Sequence, residues 1–112
     1  MARQNGIEPA NEIQVQRLIS AFSYDFEADF AYDGEKHSGW EFVYVESGQV
    51  CVNADDFTYI LKSGEMVCHK PYEFHCVQPY RGPVSVIIFC FECDSAEMQF
   101  FNNKIITVLQ RQ

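Results

Sequence analysis

Trp40-Glu41-Phe42-Val43-Tyr44-Val45-Glu46 and Gln49-Val50-Cys51-Val52-Asn53, parted by Ser47-Gly48, decide the fold class. Both runs are rich in aromatic and β-branched side chains, which suit a pleated and half-buried surface. Alternation along the first run sends Glu41, Val43 and Val45 to one face and Phe42 and Tyr44 to the other. The same pattern continues downstream. Ala54-Asp55-Asp56 reads as a turn, Phe57 to Leu61 as a strand, Lys62-Ser63-Gly64 as a break, and Glu65 to His69 as a strand stopped before Pro71. Cys76 to Gln78 ends at Pro79, and Arg81-Gly82-Pro83 precedes Val84 to Glu92, the longest apolar run and a good buried strand. Upstream, Phe22, Tyr24, Phe26, Ala28 and Phe30 share one face of a loosely alternating segment. Many short strands with regular turn signals predict an all-β chain, closed or built of two sheets.

Three segments need separate reading. Asp94-Ser95 can cap a short helix over 96–101, because their side-chain oxygens can accept free backbone N–H groups. Ile13 to Ser20 carries both strand and helix periodicity and is read as a strand; Lys104 to Leu109 is strand-like. The polar stretch 1–12 is expected to be a flexible N-terminal arm, residues 13–109 the folded domain, and 110–112 the start of a linker.

Composition narrows the function classes. The chain has 112 residues, room for one domain, and its 47% apolar content is that of a folded globular protein. The formal net charge is -8, and the eight basic residues are scattered from Arg3 to Arg111. A nucleic-acid surface needs Lys and Arg gathered on one face, so this segment is not expected to hold DNA itself. No signal peptide or membrane-spanning run is visible, so a cytoplasmic setting without membrane contact is expected. Five cysteines, an odd number, sit among apolar neighbours and read as small packing residues rather than a disulfide framework. Cys90 and Cys93 form a C-x-x-C, but residues three apart on a strand face opposite ways, and no second pair completes a zinc site.

The chemistry lies in His37-Ser38-Gly39-Trp40-Glu41, followed after six residues by Gly48, and in Gly64 to His75. These spacings resemble the two cupin motifs, and the wording of His37 to Val45 (HSGWEFVYV) and Gly64 to His75 (GEMVCHKPYEFH) is similar to the sensor domain of AraC/XylS-family transcription regulators. The tail from Phe100 to Ile105 adds to that resemblance, which covers residues 13–109. It implies a double-stranded β-helix, or jelly-roll barrel, that binds a small-molecule effector and forms a homodimer. It further implies contact with DNA only through a C-terminal helix-turn-helix part missing from this chain, and no enzymatic activity.

The resemblance also implies which residues matter. His37 matches the second cupin histidine, Glu41 the glutamate and His75 the third histidine, while Glu35 takes the place of the first histidine. Lys70, Tyr72 and Pro79 depart from the Pro, Gly and Asn of the pattern. His37, Glu41 and His75 have the donor types of an open zinc or iron site, with Glu35 as a fourth. AraC-type sensors generally work without a metal, so no cofactor is expected. His37, Glu41, His75 and Glu35 are then polar anchors, with Val43 as apolar wall, for a small polar metabolite such as a sugar. His69 reads as a surface or strand-edge histidine, and Trp40 as facing away from the cavity or stacking at its mouth. Two other classes fit the motifs: a small stand-alone metal-dependent cupin enzyme (oxygenase or isomerase), and a binding-only module.

Overall fold

The computed structural model describes residues 13–55 and 57–108. The expected arm over 1–12 and the expected linker start over 110–112 lie outside the described residues. Among the described residues, eight strands form: β1 Arg17–Phe26, β2 Trp40–Ser47, β3 Gln49–Ala54, β4 Phe57–Lys62, β5 Glu65–His69, β6 His75–Pro79, β7 Val84–Glu92 and β8 Ile105–Thr107. They make two antiparallel sheets, one in the order β1-β7-β2-β5-β8 and one in the order β4-β3-β6. The all-β expectation holds, and most strand limits match the turn signals to within a residue or two. β1 is the exception: it starts at Arg17 rather than Ile13 and ends at Phe26, so Ala28 and Phe30 lie in the following loop.

The two sheets close over one core. Val43 and Val45 of β2 meet Val50, Val52, Leu61, Val67, Val77, Val84 and Val86, all buried. The opposite face of the larger sheet carries a second cluster, in which Trp40, Phe42, Cys68 and Phe91 pack against Met98. Met98 comes from a short 3₁₀ helix, Ala96–Phe101. Because both faces of β2 are covered from Trp40 to Val45, that stretch is apolar except for the inward Glu41. The helix matches its expected span, but its capping does not: Ser95 makes no side-chain cap bond, and its hydroxyl oxygen instead accepts the Gln14 backbone N–H at 3.2 Å. Among the described residues, no helix is long and apolar enough to cross a membrane.

Gly48 is what lets β2 and β3 belong to different sheets. It turns the chain in a single residue at φ 81°, and a Cβ there would run into the carbonyl oxygen of Pro83. The left-handed region costs a residue with a Cβ about 1–2 kcal/mol before any clash is counted. Gly48→Ala is therefore expected to lower Tm by about 5–15 °C, at about 4–8 °C per kcal/mol for a domain of this size. A melt unchanged within a degree would show that the corner relaxes freely.

Candidate functional site

Three elements bring the motif residues together. Glu41 projects inward from β2, between His69 of β5 and Cys90 of β7 on the neighbouring strands. His75 opens β6, in the opposite sheet. Glu35 and His37 lie on the loop between β1 and β2, and reciprocal backbone hydrogen bonds of 2.9 Å between Glu35 and His75 tie that loop to β6. As a result one donor atom from each of Glu35, His37, Glu41 and His75 lies within 4.8 Å of all the others. The sequence grouped His37, Glu41, His75 and Glu35, and the structure brings these four side chains together.

Hydrogen bonds fix how each ring faces. His37 donates Nδ1–H to the carbonyl of Ser38 at 2.9 Å, and His75 donates Nδ1–H to the carbonyl of Glu73 at 2.9 Å. A carbonyl only accepts, so Nδ1 carries a proton in both rings and Nε2 is turned to the centre. His37 Nε2 lies 3.1 Å from Glu41 Oε1. His75 Nε2 lies 3.1 Å from Glu41 Oε2, yet its alignment falls short of a hydrogen bond and leaves a buried ring nitrogen held by charge alone. The Cys90 thiol donates to Glu41 Oε1 at 3.2 Å.

These contacts set the charges. Burial pushes the Glu41 carboxyl up, but the contact and charge of His75, the Cys90 thiol and the charge of His69 outweigh it and hold the group at about 2. Burial pulls His75 down, and Glu41, the Glu73 carbonyl and Glu35 more than reverse that, so its pKa is raised. Burial and the neighbouring Glu41 push the Cys90 thiol up to about 12, which makes it a neutral donor and not a nucleophile.

A pH dependence follows for the metal-free protein. Glu41, depressed in the fold, contributes stability above its ordinary 4.5 and loses it as pH falls towards about 2. His75, raised in the fold, contributes stability below its ordinary 6.5 and loses it as pH rises through its folded value. The stability gap between the wild type and His75→Gln is expected to be widest between pH 4.5 and 6.5 and to shrink at higher pH. Urea melts of EDTA-treated protein across that range check this; a gap that widens above pH 7 contradicts it.

His69 corrects the surface reading. It is 1% exposed, because Val67 two residues earlier is a core residue and His69 shares its face. Its ring stacks on that of His75, centroids 4.4 Å apart and planes 7° apart. Neither ring nitrogen has a hydrogen-bond partner; the nearest charge is the buried carboxylate of Glu73, 3.8 Å from Nδ1. Burial raises the Glu73 carboxyl, but His69 and the Lys70 backbone N–H, donated at 3.1 Å, hold it below the usual range. His69 and Glu73 therefore form a buried layer behind His75.

A cavity of about 650 Å³ opens in front of the cluster. Tyr24 and Phe26 of β1, Phe30 and Tyr32 of the following loop, and Ile88 and Cys90 of β7 form much of its wall. Val43 is not part of that wall; it is fully buried in the core. Trp40 lies on the far side of the sheet and donates its indole N–H to the carbonyl of Cys93 at 3.0 Å. Motif spacing pointed to none of Cys90, Tyr32, His69 or Glu73. Cys90 becomes visible only once β7 is known to pair with β2.

No protein-family profile matches the chain, and no curated protein matches it. Solved structures do. An RmlC-like cupin family protein with a double-stranded β-helix fold, from Methanocaldococcus jannaschii, aligns over 81% of this chain and 92% of its own, with a TM-score of 0.60 and 10% identity. The fold is the cupin double-stranded β-helix. Hydroxypropylphosphonic acid epoxidase from S. wedmorenis, in complex with fosfomycin, aligns over 66% of this chain with a TM-score of 0.57 and 20% identity. A DMSP lyase structure aligns over 80% of this chain with a TM-score of 0.60 and 12% identity. In each of these two cupin-fold enzymes the alignment spans 43% of the neighbour's length.

The expectation of a domain without enzymatic activity is thereby corrected. Enzymes stand among the structural neighbours, and Glu35, His37, Glu41 and His75 gather into a candidate metal centre. The donors fit a divalent cation. Two imidazoles are held by Nδ1–H bonds to backbone carbonyls and turn Nε2 inward, as ligating histidines do, and two carboxylates complete the set. The buried Nε2 of His75 without a hydrogen bond marks the same spot.

Proposed function

We propose that the chain is a metal-dependent cupin enzyme acting on a small molecule held in the cavity beside Glu35, His37, Glu41 and His75. The observation that carries this reading is the shared orientation of His37 and His75, both turned with Nε2 to one buried carboxylate. Two histidines and a carboxylate suit a non-haem iron(II) site, which favours an oxygenase over an isomerase. The epoxidase among the structural neighbours is known in iron(II) and cobalt(II) forms. A bound divalent cation would supply a Lewis acid and, if iron, a partner for dioxygen.

The chain's own residues prepare that chemistry. Glu41 stays ionised because His75 and Cys90 hold it so, and it brings negative charge to a buried point. Burial raises the Tyr32 hydroxyl to about 12, so it stays protonated, and its oxygen accepts the Val77 backbone N–H at 3.2 Å. Glu35, with a side chain 55% exposed, sits at the edge of the cluster, where its carboxylate can swing aside for a substrate oxygen. Phe26, Phe30 and Ile88 give the cavity an apolar inner wall.

The finer resemblance to AraC/XylS sensors rests on sequence wording alone, and two of the runs that carry it supply His37, Glu41 and His75 to the four-donor centre. The test is metal-dependent turnover. EDTA-treated protein, reloaded with iron(II), is incubated aerobically with a cellular small-molecule extract and followed by mass spectrometry. At least one component should be consumed by the loaded wild type and spared by metal-free protein and by His75→Ala. Identical profiles in all three contradict the reading.

A further inference from the structure

We propose that the cavity takes a planar aromatic molecule that presents an oxygen donor to the Glu35–His37–Glu41–His75 centre. This deepens the metal-centre reading above and rests on it for the donor end only. The argument begins in β1, whose pairing with β7 sets Ser20 opposite Cys90, Phe22 opposite Ile88 and Tyr24 opposite Val86. Ser20, Tyr24 and Phe26 of β1 line the cavity together with Cys90 and Ile88, and Phe22 stands beside Tyr24 on the same strand face. Phe22, Tyr24, Phe26, Phe30 and Tyr32 follow one another as a ladder, with centroids 6.0, 5.6, 4.2 and 5.7 Å apart. The Tyr24–Phe26 and Phe26–Phe30 planes differ by only 11° and 10°.

Exposure grades along this ladder. Phe22 and Tyr24 are 57% and 39% exposed at the open end, while Phe26, Phe30 and Tyr32 are half-buried further along. Aromatic surface left open on a concave wall is what an apolar ligand would cover. Near-parallel rings favour a flat guest that continues the stack over a bent aliphatic chain.

The polar groups of the wall argue against a sugar. Arg17 is committed to Glu92 through two hydrogen bonds of 3.0 and 3.1 Å. The Tyr32 hydroxyl oxygen is taken by the Val77 N–H, and the Cys90 thiol by Glu41. A polyhydroxylated guest would leave most of its hydroxyls against rings without partners, at a cost for each. Outside the cluster the remaining polar groups of the lining are single hydroxyls, those of Ser20, Tyr24, Tyr32 and Ser38, set among Phe26, Phe30 and Ile88. The guest is therefore apolar along its length and polar at one end.

The experiment uses 4-nitrocatechol, a ring with oxygen donors, against D-glucose, which has oxygen donors and no ring. Each is titrated calorimetrically into cobalt(II)-loaded and metal-free protein. The loaded wild type should bind one 4-nitrocatechol per chain. Tyr24→Ser, at an exposed position, and Phe30→Leu, which keeps the bulk and removes the ring, should each weaken that binding about tenfold while cobalt(II) affinity stays unchanged. Failure of the loaded protein to bind 4-nitrocatechol, glucose binding as tightly, or 4-nitrocatechol binding indifferent to both ring variants would overturn the proposal. If cobalt(II) fails to bind while ring-dependent binding persists in metal-free protein, the metal-centre reading falls and the aromatic recognition stands.

Discussion

Glu41→Gln is expected to weaken divalent-metal binding by more than about a hundredfold. The amide keeps the shape of the side chain and removes its charge. Both imidazole Nε2 atoms and the Cys90 thiol converge on this one carboxylate, so all three lose their common anion. Losing a group that merely supports a metal ligand costs about 10- to 100-fold in affinity, and a ligand shared by both histidines should cost more. The fold should survive, because His75 can shed its proton once the carboxylate charge is gone and so leave no unpaired buried charge. Calorimetric titration with cobalt(II) reads the affinity, and a melt of the metal-free variant reads the fold. A folded Glu41→Gln with wild-type affinity would remove Glu41 from the centre.

Trp40→Ala is expected to cost about 3–5 kcal/mol of folding stability, a large share of the roughly 5–15 kcal/mol a domain of this size has. Trp40 is buried in the cluster with Phe42, Cys68, Phe91 and Met98, so truncation empties the space between the larger sheet and the 3₁₀ helix. Trp40→Phe should cost less, about 1–3 kcal/mol, chiefly because the Cys93 carbonyl loses its donor. Urea denaturation separates the two variants. Folded Trp40→Phe should bind cobalt(II) and 4-nitrocatechol like the wild type, since the ring lies on the face away from the cavity. A tenfold loss of 4-nitrocatechol binding without loss of stability would instead place Trp40 at the mouth.

Alternation and turn residues made most of this fold legible. β2 reads directly from its period of two, which put Glu41, Val43 and Val45 inward and Trp40 and Phe42 outward, as found. Gly48 and Gly64, picked out by spacing, both adopt positive φ, 81° and 90°, where the chain passes between sheets. β1 was harder, because as the sheet's edge strand it is exposed along nearly its whole length and its period carries little contrast.

The site was half legible. Motif spacing named His37, Glu41 and His75, and the substituted position named Glu35. The aromatic wall needed the β1–β7 register, and Cys90 needed the β2–β7 register. Pairing between strands so far apart in sequence leaves no local trace. His69 was within reach of simple parity with Val67; β5 stays buried through His69 and the chain turns outward only at Lys70. Val43 shares the inward face of Glu41, but one further step along β2 takes it from the cavity into the core.

The most direct test of the metal centre is anomalous diffraction from a crystal grown or soaked with cobalt(II), recorded at the cobalt edge. One strong peak is expected, bonded to Nε2 of His37, Nε2 of His75 and the Glu41 carboxylate. A crystal saturated with cobalt(II) whose peaks all lie elsewhere, with these three side chains holding only one another, would contradict the account.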